Sequence, residues 1–269
     1  MTPFAEVIGD PVAHSLSPEI HSFWLARLGL PGRYQTTLVR PDGLAAFLES
    51  RRGDPAWRGC NVTAPLKQLV IPLLGAASAV GAVNCIVPDD GRLVGYNTDV
   101  DGIAEALSRA DLRRVVLIGA GGAARAALAW LAEAGAHHVT VLVRNPNRTD
   151  QMVEFEGHIL PINPESLAKA SLIINASPLG MAHAGPMPDS LLAGLASAAS
   201  GATVFDMVYD PRDTALLQAA RAADLRTVDG LTMLIGQARR AFRLFFGAGA
   251  PAEDDAQLRR LLIARTGAV

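Results

Sequence analysis

The sequence predicts an α/β protein of two domains, and three observations point to it. The stretch Val115 to Arg125, VVLIGAGGAAR, reads as a buried strand, Val115 to Ile118, running into a glycine turn and then an alanine-rich helix. Upstream of it, residues 1–100 alternate strand and helix signals, which argues for an α/β domain with a sheet of its own. Downstream, short apolar strands alternate with helices in the manner of a doubly wound parallel sheet of the Rossmann type.

The elements follow in order. Phe4 to Ile8 reads as a strand, and Ser17 to Leu28 as a helix with Pro18 in its first turn, where a missing N–H has no helical partner to lose. Tyr34 to Val39 is a strand, Asp42 to Ser50 a helix, Trp57 to Val62 a strand, and Pro65 to Leu74 a helix opened by its proline. Ala82 to Val87 and Leu93 to Tyr96 form a hairpin about Asp89, Asp90 and Gly91. A helix over Asp101 to Ala110 leads into the glycine-turn strand. Beyond it come helix Ala123 to Ala134 and strands Val139 to Val143, Leu172 to Asn175 and Ala202 to Phe205, with helices Ser190 to Ala198 and Thr214 to Ala223 among them. Leu231 to Phe246 is a strongly apolar helix, and Ala252 to Ala264 closes the chain. These last two helices are expected to return to the first domain, which would comprise 1–100 completed by 238–269, with 101–237 as the second.

The 269 residues suffice for two modest cores. Half the residues are apolar, and the net charge of −2 gives no electrostatic reason to expect nucleic acid or an anionic membrane as partner. Cys60 and Cys85 make neither a disulfide framework nor a metal cluster, and fit a reduced cytoplasmic setting. No basic-then-apolar leader is read at the start, and no apolar run approaches the ~18 residues of a membrane span.

Gly119, Gly121 and Ala124 match G-x-G-x-x-G/A, in which missing side chains let backbone N–H groups and a helix N-terminus approach a pyrophosphate. The alternative is a purely structural strand-to-helix turn. At the end of the next strand, where an NAD-binding protein usually places an acid for the ribose hydroxyls, stand Val143, Arg144 and Asn145, with Arg148 beyond. A guanidinium there suits a 2′-phosphate, so NADP is expected over NAD; two solvated arginines are the alternative.

Several polar residues are awkward on structural grounds alone. Asn61, Thr63 and Lys67 stand at a strand end and helix start in NVTAPLK, Asn84 sits inside the apolar AVNCIV, and Asn97, Thr98 and Asp99 follow Tyr96. Ser15 and Ser17, in HSLSP, precede a helix, and Ser17 is equally readable as its N-cap. Gln237 falls on the apolar face of its helix, so its amide bonds either backbone or a polyhydroxylated ligand. His14 and His21 read as local structure. Hydride transfer to or from a secondary alcohol needs a group to exchange the hydroxyl proton; Lys67 and Asp99 are the candidates, with no zinc-ligand cluster to do it instead.

Taken together, IGDPVAHSLSPEIH, NVTAPLK, GAVNCIV, YNTDVDG, GAGGAARA, VRNPNR, INASPLGM, FDMVYDP and DGLTMLIGQA, in this order from Ile8 to about Ala238, resemble the shikimate dehydrogenase family. The resemblance implies a two-domain enzyme, substrate-binding domain first, that interconverts shikimate and 3-dehydroshikimate with NADP(H). It implies that Ser15, Ser17, Asn61, Thr63, Asn84, Tyr209 and Gln237 hold the substrate's carboxylate and hydroxyls, and that Lys67 and Asp99 are the catalytic pair. Gly119, Ala120, Gly121, Gly122, Ala123, Arg144, Asn145 and Arg148, with Ala176, Ser177, Met207 and Gly230, would line the cofactor. A monomer or homodimer is expected. The chain departs from the family pattern in three places: Val143-Arg144-Asn145 for the usual Asn-Arg-Thr, a shorter segment between Leu74 and Gly81, and Cys85 for a threonine. Ser17 leans towards shikimate, since strong quinate users tend to carry threonine there. Quinate or an aminoshikimate remains the alternative substrate. A silent binding relative is a third possibility, which retention of Lys67 and Asp99 speaks against.

Overall fold

A computed structural model describes residues 1–146, 155 and 157–266. The chain forms two compact units, one of Met1–Thr98 with Gln237–Arg265 and one built on Asp99–Gly236.

The first unit carries a six-stranded sheet in the order β2-β1-β3-β5-β6-β4. Its strands are β1 (Phe4–Gly9), β2 (Arg33–Leu38), β3 (Trp57–Val62), β4 (Ala76–Ala77), β5 (Cys85–Asp89) and β6 (Arg92–Tyr96). β1 pairs in parallel with β2 and β3, whereas β3, β5 and β6 run antiparallel, so the sheet is mixed. β1 is central and every residue of it is buried, which is why FAEVIG reads as a nearly continuous apolar run. Its one charge, Glu6, is fully buried and held by Arg51 at 2.7 Å, an arginine from helix α2 (Leu44–Arg52). The β5–β6 turn places Asp90 and Gly91 at φ 44° and 74°, the two left-handed positions that a two-residue hairpin with the correct twist requires.

Two expectations need correction here. Pro65 to Leu74 is not one helix: α3 spans only Leu66–Leu69, and Ile71–Leu73 is a separate 3-10 turn. Pro72 is the cause, since it has no N–H to return to Gln68 and its ring clashes with the preceding turn. The hairpin's first strand begins at Cys85 rather than Ala82, because the Val83 N–H turns aside to the Lys67 carbonyl at 2.8 Å.

The second unit contains α4 (Asp99–Ala106) and a six-stranded sheet ordered β12-β11-β10-β7-β8-β9, parallel throughout. Its strands are β7 (Val115–Ile118), β8 (Val139–Val143), β9 (Gly157–Pro161), β10 (Leu172–Asn175), β11 (Thr203–Asp206) and β12 (Arg226–Val228). Counted in sequence this is the doubly wound order 3-2-1-4-5-6, with β7 and β10 flanking the point where the winding reverses. Helices α5 (Gly122–Glu133), α6 (Asp189–Gly194) and α7 (Ala215–Ala222) connect strands, and Thr214 caps α7 by accepting from the Leu217 N–H at 3.3 Å. The expected Ser190 to Ala198 helix is α6 followed by a 3-10 turn at Leu195–Ser197. The long apolar helix α8 (Gly230–Phe246) runs across the division between the units, and α9 (Asp255–Thr266) follows it.

Among the described residues no helix is long and apolar enough to cross a membrane, and no cluster of His, Cys, Asp or Glu could hold a metal ion.

Candidate active site

In the first unit, residues distant in sequence converge on a hydrogen-bonded array that begins on β2 and β3. Gly9 closes β1 against Thr63, where a Cβ would stand 2.4 Å from the threonine methyl, so the two strand ends meet without side-chain spacing. Asn61, on β3, donates from Nδ2 to the Asn84 carbonyl at 3.1 Å and accepts at Oδ1 from the Tyr34 hydroxyl at 2.6 Å. Ser17 stands beside the same phenol. The Asn84 side chain donates to Thr98 Oγ1 at 3.0 Å and accepts the Thr98 N–H at 2.7 Å, and Thr98 Oγ1 donates to Gln237 Oε1 at 3.3 Å.

Ser17, Asn61, Asn84, Thr98 and Gln237 are all buried, and the array satisfies polar groups that burial would otherwise penalise by about 1–3 kcal/mol each. Ser17 is not the helix cap. Residue Leu16 occupies that position, and it is Ser15 Oγ that accepts the Ser17 N–H, at 3.3 Å. Ser15, Thr63 and Lys67 are half-buried, and the Lys67 backbone is pinned by the Val83 N–H next to Asn84. Asp99 is buried and begins α4 in the second unit, one residue past Thr98; Tyr209, also in the second unit, is half-buried, and burial pushes its phenol up.

The second unit brings together the residues expected to line a cofactor. Gly119, at φ 119°, packs so closely on the loop after β10 that a Cβ would lie 2.8 Å from the Ala176 carbonyl oxygen and 3.0 Å from the Ser177 nitrogen. Gly121 caps α5 in an extended conformation without a side-chain cap, so the first-turn N–H groups of Gly122, Ala123 and Ala124 are not taken by a capping side chain among the described residues. Ala120 lies between these two glycines. Gly230 packs similarly on the loop after β11, where a Cβ would be 2.5 Å from the Met207 carbonyl oxygen.

The two loops are joined beneath. Asn175 Oδ1 accepts from Ser177 N and Oγ at 3.1 and 2.6 Å, and its Nδ2 donates to the Leu179 carbonyl and to Asp206 Oδ1 at 3.0 and 2.9 Å. Asp206 is fully buried, also accepts from Val208 N and Thr214 Oγ1, and burial raises its pKa against those bonds. A glycine turn at the strand-order reversal, an uncapped 12-residue helix and a fixed floor fit a dinucleotide's pyrophosphate. Arg144 and Asn145 are exposed directly past β8, and Arg148 lies outside the described residues.

Residues 7–86 match the family model for the shikimate dehydrogenase substrate binding domain, and 230–257 that for the shikimate 5'-dehydrogenase C-terminal domain. A curated protein of Sphingopyxis alaskensis, shikimate dehydrogenase (NADP(+)), is 45% identical, with 98% of each chain covered. The chain belongs to the shikimate dehydrogenase family. A relative of the same name from Rhodospirillum rubrum is 42% identical, with 94% of each chain covered. Among solved structures, the Thermus thermophilus shikimate 5-dehydrogenase in complex with NADP(H) and shikimate is similar at a TM-score of 0.84 and 36% identity, covering 96% of this chain and 99% of that one. The enzyme is thus an oxidoreductase of a family whose two-domain α/β fold it shares. Two residues of this family member's array escape sequence reading. Tyr34 lies in an ordinary-looking strand, and Thr98 is marked only as a polar neighbour of Asp99.

Proposed function

We propose that the protein is an NADP-dependent shikimate dehydrogenase that reversibly reduces 3-dehydroshikimate to shikimate, on the route to chorismate and the aromatic amino acids. The observation that carries this reading is the 45% identity to a protein of that name over nearly the whole of both chains. The buried amide and hydroxyl array of Asn61, Asn84, Thr98 and Gln237 supports it, because such groups suit a polyhydroxylated ring.

NADPH, when bound, would supply the hydride for the carbonyl carbon. Lys67 Nζ then gives the carbonyl oxygen its proton, and in the reverse direction it takes the hydroxyl proton; Asp99 orients that exchange. Ser15, Ser17, Asn61, Thr63, Asn84, Tyr209 and Gln237 hold the substrate's carboxylate and hydroxyls. Gly119 to Ala123, Ala176, Ser177, Met207 and Gly230 receive the cofactor, and Arg144, Asn145 and Arg148 read its 2′-phosphate. Met1–Thr98 with the C-terminal helices is the substrate domain, and Asp99–Gly236 the NADP domain. The enzyme works in the cytoplasm as a monomer or homodimer, which light scattering on the purified protein tests; a larger assembly would contradict it.

The test of the activity is direct. Purified protein given NADPH should oxidise it only when 3-dehydroshikimate is added, with shikimate as the product. NADPH left unconsumed in the presence of 3-dehydroshikimate would overturn the assignment.

A further inference from the structure

Tyr34 stands at one end of the array. Its ring is fixed independently of its hydroxyl: the His21 imidazole stacks on it with centroids 4.1 Å apart and planes 2° apart, and Phe245 packs at 6.3 Å. Only the oxygen is left to make polar contacts, and it donates to Asn61 on β3, with Ser17 at the start of α1 (Ser17–Arg27) beside it.

A phenol carries one proton, and a carboxamide oxygen can only accept. The Tyr34 proton therefore goes to Asn61 Oδ1. Asn61 is then held at both ends, its Oδ1 by Tyr34 and its Nδ2 by the Asn84 carbonyl. One N–H and one lone pair of the amide remain for another molecule, in a direction that Tyr34 sets. Burial pushes the Tyr34 phenol well above its ordinary value, so this proton stays in place across the physiological range.

We propose that Tyr34 is a positioning residue for the substrate: its hydroxyl holds the Asn61 amide in one orientation, so that the amide meets a hydroxylated substrate without reordering. This rests on the reading of Asn61 as a substrate-binding residue. A preset orientation saves the ordering cost of binding, a saving shared by ground state and transition state, so its loss falls on KM rather than kcat.

The experiment is a double-mutant cycle on the full chain. Tyr34→Phe keeps the stacked ring and removes one oxygen. It should raise the KM for shikimate roughly tenfold, with a smaller change in kcat and the KM for NADP unmoved. KM does not depend on the folded fraction of the preparation, so a modest loss of stability leaves the readout valid. In an Asn61→Ala background the same change should raise the shikimate KM by less than about twofold, since the orientation it protects is already gone. Equal effects in both backgrounds would overturn the proposal. So would an unchanged shikimate KM in Tyr34→Phe where Asn61→Ala raises it, an outcome that leaves the substrate-site reading standing. An unchanged KM in Asn61→Ala would overturn both.

Discussion

Gly119 rests directly on the main chain of Ala176, so closely that a single methyl group on it would come within 2.8 Å of the Ala176 carbonyl oxygen. The contact joins the turn after β7 to the loop after β10, the two strands between which the winding reverses. It is also made at φ 119°, a conformation that an L side chain resists. Gly119→Ala should therefore destabilise the second unit by at least about 1–3 kcal/mol from backbone strain alone, before any displacement of Ala176. Denaturant unfolding monitored together with NADP titration measures this; a variant of unchanged stability and unchanged NADP affinity would contradict the cradle.

Lys67→Ala should lower kcat for shikimate oxidation by roughly 10²–10⁴-fold, the range for removing a general acid–base group. NADP affinity should stay nearly constant, since the lysine belongs to the substrate side of the scheme. A variant retaining most of its turnover would remove Lys67 from the chemistry.

Arg144 is exposed at the end of β8, where the ribose of a dinucleotide is expected. Arg144→Ala should raise the KM for NADP roughly ten- to a hundredfold by loss of charge-assisted hydrogen bonds, and leave that for NAD within about threefold. Equal losses for the two cofactors would show that the arginine does not read the 2′-phosphate.

His21 is fully buried among Trp24, Tyr34, Phe242, Phe245 and Phe246, and neither ring nitrogen has a hydrogen-bond partner among the described residues. Burial lowers its pKa to about 3, against about 6.5 in the unfolded chain. Between those values the unfolded state binds more protons than the folded one. Stability therefore falls as the pH drops from about 6.5 towards about 3, by up to about 1.4 kcal/mol per pH unit from this group. His21→Phe removes both the unpaired nitrogens and the titration. It should unfold at a higher denaturant concentration by about 1–2 kcal/mol and show a shallower acid limb than the wild type. Parallel pH–stability curves for the two proteins would contradict this account.

How much of this was legible in the sequence follows from where each element lies. β7, β8 and β10 fall on their expected residues because each is a central strand whose burial makes it a compact apolar run with sharp ends. β9 and β12 went unread because they are edge strands; GHILP is mostly exposed and RTV no more than half-buried, so neither alternates nor runs apolar. Asn84 and Gln237 stood out because an amide in an apolar run must find partners, and both do. Tyr34 could not stand out: what distinguishes it is a histidine stacked from another element and an asparagine on a neighbouring strand, and no local pattern encodes either contact.

The most direct test is the initial rate of oxidation of shikimate and of quinate, each with NADP and with NAD, by the purified protein. The value of kcat/KM should be highest for shikimate with NADP and lower for each of the other three combinations. Highest activity with quinate or with NAD would keep the fold and the lysine chemistry but contradict the assignments of Ser17 and Arg144; no activity with any pair would contradict the proposed function itself.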